Sequence, residues 1–382
     1  MLNQKFLPFS LIIILGIALF GCQQPQQPKI KNTSKKFSVS ISNPEFAKGF
    51  KISESDHVKL IEIFYPWDSL NASKKFYLID RNIAPEFVPD DGIIIKTPVK
   101  TMVCLSATHL SFADALGLLK NVSGVSSADY VVSQEFQNLV KSGAIREIGI
   151  SDHFKLEQLI DLNPEIVMVS PQAGQGFDPL VNAGLTIVPN GDYLESSPLG
   201  QAEWIKFMGV LFNKEDEANL IFDSIKSAYL ELKTLAENVE FRPTVLSGKQ
   251  YGGFWDLPGG KSFVAEFFND AGAQYIYAKN PATGSHTLDF ETVYAMGINA
   301  DFWRFLVYST DDFTLESLKN EDVRYSDFKA FRDKKVIVCN TLKKPFYQKG
   351  LLEPHIILAD LIKIFHPELL PGYQNKYYEL IP

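Results

Sequence analysis

The hydrophobic pattern alternates, from residue 101 onwards, between short apolar runs and amphipathic stretches. In the first half, TMVCLS and IVMVS have the length of buried strands, and SFADALGLLKN between them has helical spacing. Strands that alternate with helices in this way favour a mainly parallel sheet covered by helices. From RPTVLSG, near residue 243, the same order of runs repeats. The pattern therefore predicts an α/β chain with two lobes.

Two segments at corresponding places in the two halves carry the same unit. One begins at Phe154 and the other at Leu288, and in each a glutamate opens an amphipathic helix that leads directly into a strand. These glutamates are Glu157 and Glu291. Acidic residues are common in the first turn of a helix because they complement its dipole. The functional alternative is that each lobe exposes one carboxylate to a cation of a partner protein.

The segments outside the two lobes have different patterns. Residues 37–98 contain short runs rich in β-branched and aromatic residues, such as VKLIEIF, which predict a small β-rich module. Within residues 198–240 the spacing is helical, and the second helix, 214–238, would be on the order of 35 Å long and able to join two lobes. The predicted divisions are a signal peptide at 1–21, a tether at 22–36, the N-terminal module at 37–98, a first lobe at 99–197, linking helices at 198–240 and a second lobe at 241–382.

The N-terminus predicts export and a lipid anchor. Lys5 precedes an apolar run that ends at Phe20, which is typical of a signal peptide and too short for an ordinary transmembrane helix. Cys22 follows Gly21 and resembles the lipidated cysteine of a bacterial lipoprotein. The polar, proline-interrupted stretch after it predicts a tether. We expect Cys104 and Cys339, both in apolar runs, to be buried free thiols.

Composition and motifs exclude several functional classes. The chain has 382 residues, 46% of them hydrophobic, and a net charge of -8 without a long basic run, which argues against nucleic-acid binding. The run Gly260-Lys261-Ser262 lacks the first glycine of a phosphate loop. The sequence contains no G-x-S-x-G or H-E-x-x-H motif, and its six histidines are scattered. We therefore predict a protein that is not an enzyme and that holds no resident cofactor or metal site.

The loops after the strands are the expected binding site, because ligands in open α/β sheets bind beyond the carboxyl ends of strands. Aromatic residues in such loops favour a pocket for a bulky, partly apolar ligand. The alternative is that Trp255 and Phe346 pack beneath their own loops, and spacing alone leaves open whether His109, His286 or Tyr347 contacts a metal. The candidate ligand-binding residues are Ser106, Thr108, His109, Tyr130, Gln172, Tyr251, Phe254, Trp255, Phe346 and Tyr347.

The segments LSATHLSFADALG, FKLEQLIDLNPEIVMV, YGGFWDLPGGKSFVAEFFNDAGAQYIY and FYQKGLLEPHIILADLIKIFHPELLP together carry a resemblance. The chain resembles the substrate-binding lipoproteins of ABC importers for ferric siderophores, haem and vitamin B12, in the form found in Bacteroidetes. The resemblance implies two lobes joined by a rigid helix, with the ligand between them. It also implies that Glu157 and Glu291 dock onto arginines of the permease.

The function that the resemblance implies is capture of a metal chelate and its delivery to an ABC permease with its ATPase. A ferric siderophore is the default chelate, through family frequency alone. The chain would be a periplasmic monomer, attached to a bacterial membrane only through its lipid. One alternative is a haem- or corrinoid-binding lipoprotein of the same fold that acts as a sensor or scaffold. A hydrolase is a third and remote hypothesis, and it predicts turnover.

Overall fold

The computed structural model describes residues 44–55, 57–64, 73–84, 88–129, 131, 133–149, 155–171 and 177–382, all within one structural unit. The signal peptide and the tether with Cys22 lie outside the described residues. So does the run FSVSISN, in which we expected the first strand of the N-terminal module.

A small sheet forms the N-terminal module. Its strands are β1 (Phe50–Ser55), β2 (Val58–Phe64), β3 (Ser73–Asp80) and β4 (Ile93–Thr97). The first three pair antiparallel, and β4 joins β3 in parallel. Apolar side chains on one face, among them Phe50 and Ile61, are buried. The ion pair Arg81–Glu165 fastens the module to the first lobe.

The first lobe contains a wholly parallel sheet in the order β7-β6-β5-β8-β9. Its two most apolar strands, Met102–Cys104 and Ile166–Val169, are wholly buried, as is typical of a parallel sheet with helices on both faces. The strands are β5 (Met102–Cys104), β6 (Val122–Val125), β7 (Arg146–Glu147), β8 (Ile166–Val169) and β9 (Ile187–Pro189), and the helices are α1 (Ala107–Ala115), α2 (Gln134–Lys141), α3 (Leu156–Leu162) and α4 (Asp178–Asn182).

The second lobe has the same plan, except that one edge strand of its sheet is antiparallel. Its sheet has the order β13-β10-β15-β16-β17, and a separate antiparallel sheet, β11-β12-β14, follows the first strand. The strands are β10 (Thr244–Ser247), β11 (Gln250–Tyr251), β12 (Phe254–Pro258), β13 (Gln274–Tyr275), β14 (Ser285–Leu288), β15 (Phe302–Val307), β16 (Val336–Asn340) and β17 (Glu379–Leu380). The helices after the linking segment are α7 (Phe263–Asp270), α8 (Phe290–Gly297), α9 (Leu315–Glu321), α10 (Lys329–Arg332), α11 (Phe346–Lys349) and α12 (Pro354–Phe365).

Two helices link the lobes, α5 (Pro198–Leu211) and α6 (Glu215–Glu237). Helix α5 is almost entirely buried, and α6 packs along both α5 and α12. The largest hydrophobic cluster runs through the module, the linking helices and both lobes, and smaller clusters lie in the first lobe and in the module. The predicted fold class, two parallel-sheet lobes joined by a long helix behind a β-rich module, is confirmed. Cys104 and Cys339 are buried and unpaired, as we expected.

Two buried carboxylates hold the chain where it enters the module. Glu203, on α5, accepts hydrogen bonds from the backbone N–H groups of residues 45–47 at 2.7 to 2.9 Å. Its remaining partner is Lys206, at 2.8 Å. Glu195 does the same for the N–H groups of residues 48 and 49, and it also accepts a bond from the Trp204 indole. The module is therefore anchored by charge-assisted hydrogen bonds as well as by apolar packing.

We predict that Glu203→Gln lowers the free energy of unfolding by about 3 kcal/mol, because it breaks a buried, fully hydrogen-bonded ion pair. The Glu203 side chain is wholly buried, so water cannot replace the lost charge. Urea unfolding measures the change. The matched control is Glu217→Gln on α6, an exposed partner of Lys214, which should change stability by no more than about 0.5 kcal/mol. Equal effects of the two substitutions would contradict the anchoring role.

Candidate functional site

The first candidate residues lie at the end of β5, but in a helix and not in a loop. Helix α1 begins at Ala107, so the prediction that Thr108 and His109 belong to a loop is wrong. Ser106 causes the early start, because its extended backbone and side chain cap the helix and its Oγ accepts from the Thr108 N–H at 3.3 Å. The Thr108 hydroxyl lies 3.0 Å from the Ser106 hydroxyl. Both side chains are only partly buried and can face a ligand.

His109, the next residue of α1, lies in the core. Its side chain is fully buried, and its Nε2 lies 3.4 Å from the Ser170 hydroxyl at the end of β8. Nδ1 has no hydrogen-bond partner among the described residues. Burial lowers the pKa of His109 to about 3, so the ring is neutral at physiological pH. Direct contact with a ligand, as we expected for His109, does not fit this buried position. The ring packs in the core instead.

Asp192, which sequence reasoning missed, is the most unusual polar group near these residues. It begins a short turn after β9 and is 1% exposed. Neither of its carboxylate oxygens makes a well-formed hydrogen bond within the described part of the chain. Burial raises its pKa to about 7, although the nearby Thr108 hydroxyl and the Tyr193 N–H oppose the shift. Its place directly after a strand of the sheet could have drawn attention to it.

Asp192 should make stability depend on pH. Its pKa is raised on folding from 3.8 to about 7, so the folded state keeps a proton that the unfolded state loses. The wild type should therefore lose stability as pH rises from about 4 to about 7, on the order of 3 kcal/mol relative to Asp192→Asn. Urea unfolding of both proteins at pH 4, 6 and 8 measures this difference. A difference that stays constant over that range would show that Asp192 is not protonated in the folded protein.

The second lobe presents aromatic side chains at the same edge of its sheet. Tyr251 and Phe254 face each other across the β11–β12 hairpin and are 88% and 60% exposed. Residues 252 and 253 are glycines with φ of 59° and 91°, as the tight turn between them requires. Tyr347, on α11, is 43% exposed, and Tyr308, which sequence reasoning missed, follows β15 and is 60% exposed. We call these four exposed residues of the second lobe, Tyr251, Phe254, Tyr308 and Tyr347, the aromatic wall.

Trp255 does not belong to the aromatic wall. It is fully buried, stacks on Trp303 with ring centres 5.6 Å apart, and donates from Nε1 to the Ser247 carbonyl at 2.9 Å. The expectation that Trp255 contacts the ligand is therefore wrong for this conformation. Successive side chains of a strand point to opposite faces, so Trp255 points into the core and its neighbour Phe254 lies on the exposed face. Phe346 is largely packed as well, with its ring 5.7 Å from that of Tyr377.

The remaining candidates are less informative. Tyr130 and Gln172 lie outside the described residues and stay predictions. His286 is in β14, where its ring contacts Tyr277 and Asn280. The described residues contain no group of three or more His, Cys, Asp or Glu side chains that could hold a metal ion.

Contacts between helices bring the two lobes together at this edge. Helix α1, which carries Thr108, packs against α11, which carries Tyr347. The hydroxyl groups after β5 and Tyr347 of the aromatic wall are thus on neighbouring surfaces. This arrangement offers a ligand hydrogen-bonding groups from one lobe and flat apolar surface from the other.

A separate cavity of about 660 Å³ runs along α7. Most of the residues that line it are polar or charged, among them Lys48, Lys233, Lys261 and Glu266. Burial and the neighbouring Asp270 raise the pKa of Glu266 to about 7. The aromatic wall contributes none of the residues that line this cavity, so we treat it as distinct from the candidate site.

The two glutamates of the repeated unit both lie in the first turn of a helix and are exposed. Glu157 is the second residue of α3, whose N-cap Lys155 makes no side-chain capping bond. Glu291 is the second residue of α8, and its side chain is 78% exposed at 3.4 Å from Arg324. Asp289 caps α8, so Glu291 is not needed for capping. Both carboxylates are accessible to a partner.

Comparisons with known proteins agree with this architecture. The family model described as periplasmic binding protein matches residues 102–341, more than half of the chain. An uncharacterized lipoprotein of Methanocaldococcus jannaschii is 24% identical, over 98% of this chain and 96% of its own length.

Two solved structures share the fold. An ABC transporter substrate-binding protein from Listeria monocytogenes is 16% identical, has a TM-score of 0.56 and covers 71% of this chain and 100% of its own. A periplasmic heme binding protein from Pseudomonas aeruginosa is 17% identical, has a TM-score of 0.57 and covers 73% of this chain and 96% of its own. In the described part of the chain, every helix is too short or too polar to span a membrane. The chain belongs to the periplasmic binding protein family.

Proposed function

We propose that this protein captures a metal chelate between its lobes and delivers it to the permease of an ABC importer. The observation that carries the proposal is the aromatic wall, whose rings stay exposed at the strand ends where α/β sheets bind ligands. Exposed aromatic rings offer the flat apolar surface that a bulky, partly apolar ligand can cover. Binding and release, and not catalysis, are the chemistry that such a surface supports.

The chelate of first choice is a ferric siderophore. The hydroxyl groups of Ser106 and Thr108 can bond to the oxygen atoms on its surface, and the aromatic wall can cover its apolar parts. The second candidate is a flat macrocycle, either a haem or a corrinoid, for which extended aromatic stacking is favourable. The solved haem-binding relative is consistent with it, although His109 is buried too deeply to ligate iron in this conformation. In a haem complex, the iron ligand would then be a phenol oxygen of Tyr251, Tyr308 or Tyr347.

Delivery would depend on Glu157 and Glu291. One exposed carboxylate on each lobe can pair with arginine side chains of a permease, and contact with both lobes at once couples docking to the opening of the cleft. The anchor would be the lipid on Cys22, which holds the protein at a bacterial membrane on the periplasmic side. The related protein of Methanocaldococcus jannaschii is itself named a lipoprotein, which supports the lipid anchor.

Equilibrium dialysis against a panel of chelates tests the proposal. The panel contains a ferric trihydroxamate, a ferric tricatecholate, ferric citrate, haem and cyanocobalamin. Metal content is measured on both sides of the dialysis membrane. We expect one class to bind with a micromolar or lower dissociation constant and the others much more weakly. A protein that binds none of them would overturn the proposal, and a preference for haem or cobalamin would select the second candidate.

A further inference from the structure

The cavity along α7 is positively charged, although the protein as a whole is negative. The chain has a net charge of -8. The lining of the cavity nevertheless contains more cations than carboxylates, namely Lys48, Lys233, Arg242 and Lys261 against Glu266 and Asp270. Such a local reversal of sign concentrates anions at the cavity.

The two carboxylates neutralise little of this charge. Asp270 has a fully buried side chain, which pairs with Lys233 at 3.0 Å and accepts a hydrogen bond from the Tyr229 hydroxyl at 2.9 Å. The charge of Asp270 is therefore balanced by one lysine. Glu266 forms no ion pair within the described part of the chain, and burial raises its pKa to about 7. Near neutral pH, Glu266 is therefore negative only part of the time.

Three cations remain available to a ligand. The Arg242 guanidinium donates to the backbone carbonyls of residues 237 and 269, each at 3.1 Å, which fixes its position without neutralising its charge. Lys48 and Lys261 are exposed and pair with no carboxylate among the residues that the structure describes. The three side chains come from separate segments, before β1, between α6 and β10, and before α7, so the fold brings them together around one space.

The volume and the chemistry of the cavity indicate a class of ligand. Its volume of about 660 Å³ lies in the range of small-molecule sites and is far larger than a single inorganic ion needs. Lysine ammonium groups and a fixed guanidinium bind phosphate oxygens through charge-assisted hydrogen bonds. The hydroxyl groups of Ser196 and Thr283 line the same space and can add neutral hydrogen bonds.

We propose that this cavity is a second binding site, which takes an anion with one or more phosphate groups. The anion is either a soluble phosphorylated compound or the head group of a phospholipid, and the two share the chemistry that the cavity recognises. Lys48 is the lining cation that lies closest in sequence to the predicted lipid-bearing tether, so a membrane lipid has to be tested beside a soluble phosphate. The site does not depend on chelate capture, because it shares no residue with the aromatic wall.

Isothermal titration calorimetry with inorganic pyrophosphate, at pH 8 and low ionic strength, tests the site. The wild type should bind one pyrophosphate, and Lys48→Gln with Lys261→Gln should weaken binding about thirtyfold, because two charge-assisted contacts are lost. Glu266→Gln should strengthen binding about threefold, because it removes a negative charge from the lining.

A matched control removes two lysines elsewhere. Lys141 and Lys319 are also exposed, lie on α2 and α9, and do not line the cavity. Lys141→Gln with Lys319→Gln changes the net charge by the same amount, and affinity for pyrophosphate should stay within about twofold of the wild type because distant exposed charges are screened. Absence of pyrophosphate binding by the wild type, or equal loss in the two double variants, would overturn the proposal.

Competition against bound pyrophosphate identifies the source of the phosphate. The competitors are glycerol 3-phosphate and dihexanoyl phosphatidic acid, which have the same head group without and with acyl chains. Tighter binding of the phosphatidic acid indicates a membrane lipid, and equal or tighter binding of glycerol 3-phosphate indicates a soluble compound. If neither displaces pyrophosphate, the proposal is wrong. Displacement of a bound ferric chelate by pyrophosphate would also contradict it, because the two sites would then be one.

Discussion

Reversing the charge of Glu157 and Glu291 together should strongly reduce chelate uptake while leaving chelate binding intact. Both side chains are exposed in the first turn of a helix, one on each lobe, and neither belongs to the aromatic wall. If they pair with arginines of a permease, the variant Glu157→Lys with Glu291→Lys places like charges in contact, and uptake should fall about tenfold or more. Cells that express the variant in place of the native protein are assayed with iron-labelled chelate. Equilibrium dialysis should give an affinity within about twofold of the wild type.

The chain provides a matched control for this experiment. Glu135 and Glu316 are also exposed and also lie in the first turns of helices, α2 in the first lobe and α9 in the second. Reversing both of them changes the net charge of the protein by the same amount. Uptake should then remain near the wild-type level. Equal loss in both variants would mean that overall charge, and not a docking contact, limits uptake. Normal uptake by the Glu157 and Glu291 variant would contradict the docking proposal.

Removing the hairpin part of the aromatic wall should weaken ligand binding without weakening the fold. Tyr251 and Phe254 are 88% and 60% exposed, so the variant Tyr251→Ser with Phe254→Ser should change the free energy of unfolding by less than about 0.5 kcal/mol. Chelate affinity should fall about a hundredfold, because two aromatic contacts together contribute roughly 3 kcal/mol. Equilibrium dialysis and urea unfolding measure the two quantities separately.

Trp255→Phe is the reciprocal variant. The Trp255 ring is buried against Trp303, and its indole N–H bonds to a backbone carbonyl. The smaller ring should cost about 2 kcal/mol of stability through a cavity and a lost hydrogen bond, with chelate affinity within about twofold. If Trp255→Phe weakens binding more than the hairpin variant does, the ligand enters beside Trp255 and the aromatic wall is misassigned.

Periodicity predicted the fold well because each lobe repeats a strong local signal. Residues 336–340 and 166–169 are wholly buried strands, and their unbroken apolar runs indicate this directly. Strand β1 (Phe50–Ser55) and the β11–β12 hairpin were not predicted. In the hairpin, Trp255 and Phe254 alternate between core and solvent, and only the pairing of β12 with β14 decides which faces inward. Sequence spacing contains no information about such a partner, which lies about 30 residues further along the chain.

The candidate site was less predictable than the fold because it depends on burial. His109 follows two partly exposed residues, yet the packing of α1 places it in the core. Asp192 resembles an ordinary turn residue in the sequence, and its isolation is created by the elements that cover it. Conversely, Glu157 and Glu291 could be identified directly, since their helices repeat in the same order. Local pattern therefore identifies repeated surface features, whereas the interior of the site follows from tertiary contacts.

The most direct test of chelate capture is anomalous diffraction, at the absorption edge of the metal, from crystals of the protein with the chelate that binds most tightly. We predict one metal peak between the start of α1, which Ser106 caps, and the aromatic wall, near Tyr308 and Tyr347. A peak in the charged cavity along α7, beside Lys48 and Glu266, or only on the outer surface, would contradict capture of a metal chelate between the lobes.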